Sequence, residues 1–209
     1  MRLEAKDVAL ISVFSALCVV IGYVKVSSLF SLPNVVEFTA VLVFVSGLMF
    51  GWVVGALDGA ISVAIITLIP YPLTSPAAFL FVTPPILLAV MIGLGALYGI
   101  VGGILGKRYS AKKMSRRMIA ELAFLGFVLT FTYDVLGSVG FYLAYSVYYN
   151  SVWEAILWTF IPIYMPYPPI IHTFTNTVIF ALLVPPLVKA IGRLQGVKPQ
   201  ETVEPANTP

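Results

Sequence analysis

The chain has 209 residues, 60% hydrophobic and only 10% charged, with a formal net charge of +3 and a mean hydropathy of +1.00. A soluble domain carries about 25% charged residues, so so few charges cannot solvate a globular exterior, and most of the surface must face lipid. The basic balance is not a nucleic-acid signal, because the positive residues cluster at the ends of apolar runs; no nucleic-acid partner is expected.

Crossing a bilayer takes about 20 largely apolar residues as a helix, and six runs qualify: 7–24, 35–50, 51–69, 84–106, 118–145 and 169–191. The first holds the single cysteine, Cys18, which can make no intramolecular disulfide. No small-residue cleavage site follows it before Lys25, so a cleavable signal peptide is not expected. Ala5, Ala9, Ser12 and Ala16 recur at spacings of four, three and four, giving one small-residue face that either packs internally or docks another membrane protein. The second run is short for a span and meets the third through Phe50-Gly51-Trp52, which predicts a tight helical hairpin. Gly51-x-x-x-Gly55-x-x-x-Gly59 in the third run and Gly95-x-x-x-Gly99-x-x-x-Gly103 in the fourth place small residues on one helix face, where another backbone can approach closely. Packing inside the bundle is the simplest use of both stripes. Neither has the spacing of a dinucleotide or Walker loop. Breaks are expected at Tyr71-Pro72-Leu73-Thr74-Ser75-Pro76 and at Pro162, Pro166, Pro168 and Pro169. Residues 1–195 form the membrane domain, and the polar 196–209, with three prolines, read as a disordered tail.

Orientation follows from Lys and Arg. Arg2 and Lys6 precede the first helix, Lys107, Arg108, Lys112, Lys113, Arg116 and Arg117 fill the fourth connection, and Lys189, Arg193 and Lys198 follow the sixth helix. Six spans place all of these on one side and leave only Lys25 on the other, a positive-inside pattern with both termini cytoplasmic in a multi-pass plasma-membrane protein. The opposite connections, 70–84 and 146–168, carry no Lys or Arg and are dense in Tyr, Trp, Phe and Pro. They read either as a lid folded over the helix ends or as an interfacial aromatic belt.

Ionisable groups inside a bilayer are costly and are candidates for function. Here they are Glu37, Asp58, Asp134 and His172, with Asn176 four residues beyond His172 on the same helical face. Glu37 and His172 fall at similar depth near the outer surface, with Asn176 about a turn deeper. Around them come Tyr133, Tyr142 and Tyr145 on the fifth helix, and Trp153, Trp158 and Tyr164 in the following loop. An outward-facing pocket of these residues suits a flat, water-soluble molecule, held by aromatic faces and directional hydrogen bonds. With no Lys or Arg nearby except Lys25, a neutral or cationic heterocycle fits better than an anion. The competing reading makes Asp134, Glu37 and especially Asp58 structural. One histidine and one membrane cysteine at no ligand spacing make no metal site. No catalytic constellation is present and no cofactor is expected, so the chain reads as a transport subunit and not an enzyme.

The stretch Leu32-Pro33-Asn34-Val35-Val36-Glu37-Phe38-Thr39-Ala40-Val41-Leu42-Val43-Phe44, continuing through Ser46-Gly47-Leu48-Met49-Phe50-Gly51-Trp52-Val53-Val54-Gly55-Ala56-Leu57-Asp58-Gly59-Ala60, resembles the substrate-binding (S) components of energy-coupling-factor (ECF) transporters. The likeness extends over about residues 5–192 and implies an all-α, six-helix membrane bundle. It also implies high-affinity binding of a vitamin or related micronutrient at the outer face. A transmembrane coupling (T) protein and a pair of ATPases would then drive release inward, as in ABC importers, apparently by toppling of the S component. The family's Ala-x-x-x-Ala docking motif is matched literally at Ala5 to Ala9, around Lys6 and Asp7, whereas Ser12-x-x-x-Ala16 is the better placed equivalent. That tips the small-residue face toward docking, through Ala9, Ser12 and Ala16. The family's metal-binding branch has a histidine near the start of the chain, where this one reads Met1-Arg2-Leu3. The charge argument favours a thiamine-like substrate over carboxylates such as biotin, folate or pantothenate. A stand-alone ion-coupled carrier with Asp58 and Asp134 as proton sites is the alternative from another class, and a non-transporting scaffold is a third.

Overall fold

Apolar runs this long have one way to satisfy their backbone in lipid, which is to close every N–H onto a carbonyl within the helix. The computed structural model describes residues 3–27, 37–69, 83–109, 115–147, 150–160 and 169–194. The Tyr71–Pro76 and 162–168 breaks, Lys112, Lys113, Tyr164 and the 196–209 tail lie outside the described residues, as does the side chain of Lys25. The described residues form α1 (Ala5–Ser27), α2 (Phe38–Phe50), α3 (Trp52–Leu68), α4 (Pro85–Tyr109), α5 (Arg116–Ala144), α6 (Val152–Phe160) and α7 (Pro169–Leu194). Within α1, α4, α5 and α7 lie segments long and apolar enough to cross a membrane; α2 and α3 are apolar but have 13 and 17 residues. Pro85 and Pro169 open α4 and α7 at the position where a missing N–H costs nothing. The hydroxyl of Ser115 caps α5 by accepting from the Met118 amide at 3.3 Å.

Helix α6 was not among the six predicted runs. It has nine residues, too few to span, and lies in the aromatic connection before α7. Ser151 caps it by accepting from the Glu154 amide at 3.1 Å, while the Glu154 carboxylate accepts from the Asn150 amide at 2.7 Å. That is a capping box shifted outward by one residue. Its Phe160 packs edge-on against Phe131 of α5, with ring centroids 6.1 Å apart.

Successive long helices run antiparallel. One end of the bundle gathers Arg108, Arg116, Arg117, Lys189 and Arg193 and is called the basic end below; Glu37 and His172 belong to the opposite end. Helix α2 is the central post, buried continuously from Thr39 to Leu48 and touched by α1, α3, α4 and α7. It turns into α3 at Gly51, whose φ of +101° is open to glycine at no steric cost and strained for other residues.

The glycine stripes pack α2, α3 and α4 backbone against backbone. A methyl on Gly99 would run into the Gly55 carbonyl, one on Gly47 into the Gly99 carbonyl, and one on Gly95 would sit 2.7 Å from the Gly59 oxygen. In lipid, apolar side chains gain little by leaving the solvent, so this dispersion contact is a main source of helix association. The small-residue face of α1 is used differently. Ala5, Ala9, Ser12 and Ala16 are exposed, while Ile11, Ser15, Cys18 and Gly22 turn inward.

Candidate functional site

Two buried polar clusters occupy the interior. The first centres on Asp58 of α3, which is fully buried. Its carboxylate accepts from Ser15 of α1 at 3.0 Å, from Ser46 of α2 at 2.6 Å and from Ser62 one turn along α3 at 3.2 Å. Hydroxyls from three helices therefore converge on one group; Ser46 also reaches the Val43 carbonyl at 2.9 Å and Ser15 the Asp58 backbone carbonyl at 3.5 Å, so the carboxylate is the one acceptor that all three share. The geometry is that of a clamp.

The second cluster joins α2, α4, α5 and α7 near the end opposite the basic one. Asp134 of α5 faces His172 of α7, with Nδ1 3.0 Å from Oδ1, and accepts from the Thr173 hydroxyl at 3.1 Å through Oδ2. Asn176, fully buried one turn along α7, accepts through Oδ1 from the backbone amide of Glu37 at 3.1 Å. Its Nδ2 is 3.0 Å from His172 Nε2 and donates to Thr130 Oγ1 at 3.3 Å. Tyr98 of α4 also donates to Thr130, at 3.2 Å, and its ring lies 6.2 Å from that of Tyr133.

These contacts fix the protonation of both imidazole nitrogens. A backbone N–H can only donate, so Asn176 must present oxygen to Glu37 and its amide nitrogen to His172. Nε2 then has to be the unprotonated nitrogen, which leaves the proton on Nδ1 to donate to Asp134. A protonated imidazole would set an N–H against an N–H. His172 is accordingly neutral in this arrangement, and both Asp134 oxygens accept, as a carboxylate's do. Among the described residues no buried side-chain nitrogen or oxygen lacks a partner.

Of the residues singled out from sequence, Asp134, His172 and Asn176 are brought together, Glu37 joins through its backbone, and Tyr133 lies beside them half-buried. The Glu37 amide meets the side chain of Asn176, whose other amide atom meets His172, and α2 begins at Phe38. Tyr142 is half-buried on α5, and Tyr145 at its C-terminal cap stacks obliquely on Phe141 at 4.9 Å. Trp153 is 72% exposed and Trp158 42% exposed on α6. None of these four belongs to the polar cluster as drawn from the described contacts. Thr130, Thr173 and Tyr98 do belong to it and were not anticipated. Thr130 precedes Asp134 by one helical turn and Thr173 adjoins His172, so position offered a signal for both, and nothing in the sequence pointed to Tyr98.

The profile of the family described as ECF transporter, substrate-specific component, matches residues 6–188. Comparison with curated proteins and with solved structures finds no match.

Proposed function

The chain belongs to the substrate-specific components of ECF transporters, and from that premise we propose that it binds a cationic or neutral, thiamine-like heterocycle at the end of the bundle opposite the basic one. As a member of that family it is a membrane-embedded, substrate-binding transport subunit that works with T and ATPase modules. The substrate reading is carried by one observation. The Asp134 carboxylate is bonded to a neutral imidazole, so its charge is met by hydrogen bonds and by no cation. No described Lys or Arg side chain lies at that end. A positively charged ring is the partner this site lacks, and Tyr133, Tyr142, Tyr145, Trp153 and Trp158 supply aromatic faces for it. The Glu37 side chain adds a second acid at the start of α2.

The same reading places α1–α5 and α7 as six spans with both termini and the basic end in the cytoplasm, supported by the distribution of Lys and Arg. The exposed Ala9, Ser12 and Ala16 face of α1 then meets the T protein, and ATP hydrolysis in the partner ATPases drives release. Asp58, held by three serines, serves as a structural clamp.

Native mass spectrometry of the gently purified protein, followed by calorimetry with thiamine and with biotin, tests the substrate class. A co-purified cationic or neutral heterocycle is expected, with thiamine binding more tightly than biotin. A co-purified carboxylate would overturn the assignment. Proton-driven uptake in liposomes lacking the partner modules would instead establish a stand-alone carrier.

A further inference from the structure

At the basic end, residues of α4 and α5 line a groove of about 470 Å³. Its polar lining is Arg108, Arg117 and Glu121, and its apolar lining is Leu105, Ala120, Phe124 and Leu125. Glu121 accepts from Nη2 of Arg108 through both oxygens at 2.7 Å, from the Tyr109 hydroxyl at 3.0 Å, and pairs with Nε of Arg117 at 3.3 Å. One carboxylate thus answers two guanidiniums and is saturated in doing so. It engages a single nitrogen of each arginine, whereas each guanidinium carries five N–H donors. Arg108 is about half-exposed and Arg117 almost wholly so. The Tyr109 hydroxyl is pushed up from its ordinary value by burial and by the hydrogen bond to Glu121, so it donates and adds no negative charge.

The surplus is sharpened by position. Arg116 and Arg117 form the first turn of α5, where the helix dipole is positive and acidic residues are favoured; that turn holds none. Among the described side chains of the groove, two arginines and the N-terminus of α5 meet one glutamate. Directly below, one to two turns along α5 toward the centre of the span, Phe124 is 67% exposed in the apolar lining.

Positive charge at the interface with an apolar channel below it matches one molecule, an anionic phospholipid. Its phosphate would bridge Arg108 and Arg117 while an acyl chain lies along Phe124 and Leu105. We propose that this groove is a binding site for an anionic phospholipid in the leaflet at the basic end. The apolar lining selects a lipid over a free anion, and the paired arginines select it over a zwitterionic lipid.

The full-length protein is reconstituted in mixed phosphatidylglycerol–phosphatidylcholine vesicles, and retained lipid is counted by native mass spectrometry. Phosphatidylglycerol should be retained in excess of its share of the mixture. Arg117→Gln, at an exposed position that leaves the Arg108–Glu121 pair in place, should lower that retention about fivefold, the loss expected for one basic side chain at a membrane surface. Lys189→Gln removes the same charge from exposed α7 at the same end, outside the groove, and should leave it unchanged. Retention no greater than the bulk share would overturn the proposal. So would an equal loss in Lys189→Gln, which would mean diffuse surface attraction.

Discussion

The two halves of the bundle are held together by different physics. Helices α2, α3 and α4 touch through glycine, with backbones so close that no β-carbon fits between them. Helices α5 and α7 meet through a directed chain of hydrogen bonds from the Glu37 amide through Asn176 and His172 to Asp134. Dispersion between backbones has no second arrangement of equal quality. A hydrogen-bond chain does, because a ligand can replace one donor with another. The first half is thus the frame and the second the part able to answer a substrate.

The contrast breaks most visibly at Gly99. Gly99→Leu should yield no monodisperse protein in detergent, because its side chain must displace the Gly55 backbone. Gly137→Leu on α5, where an added β-carbon meets nothing within 4 Å, should purify normally. Equal behaviour of the two on size-exclusion chromatography would dissolve the distinction. Ala16→Trp acts on the outside of the frame: co-purification with a T protein should be lost while ligand affinity is kept. Retained co-purification would move the docking face elsewhere. Asp58→Ala should lower stability by about 1–3 kcal/mol, the cost of losing a buried acceptor that three hydroxyls share, with little change in ligand affinity. A fall in affinity larger than the fall in thermal stability would place Asp58 in the ligand half.

In that half, Asp134→Asn and His172→Ala should each weaken ligand binding by about 1–3 kcal/mol, and calorimetry reporting unchanged affinity for both would relocate the site. The smallest effect belongs to α6. The Asn150 backbone amide, with its side-chain amide, holds the Glu154 carboxyl below the usual glutamate range. A depressed value means the cap persists above the ordinary glutamate pKa and is lost as pH falls through the lower, folded value. The Asn150 amide resonance should titrate below about 4.3, the unperturbed value; a midpoint at or above it would show that the cap does not form.

How much of this was legible depends on how far along the chain each cause extends. Long apolar runs announce themselves, and the 84–106 and 169–191 runs differ from α4 and α7 by three residues or fewer at either end. Glycines four apart announce close packing equally well. His172 and Asn176 share a face by periodicity alone. Ser62 stands one turn from Asp58 on α3 and was signalled by position, but Ser15 and Ser46 were invisible because they come from other helices, and an isolated hydroxyl carries no pattern. Helix α6 was hidden among Tyr, Trp and Pro, since nine residues hold too few turns for a period to emerge, although Ser151-x-x-Glu154 marks its start.

The central position of α2 bears on how the molecule is made. Its enclosure draws on the earliest helix and the last: α1 on one side, and on another α7, whose Phe180 packs edge-on against Phe44 at 5.3 Å. A nascent chain leaving the ribosome carries α2 into the membrane well before α7 exists. Until α7 has been made, Phe44 lacks the ring of Phe180 and the Glu37 amide lacks its acceptor. Assembly is therefore sealed from the carboxyl side, and a chain stopped before α7 would hold a post with one wall missing.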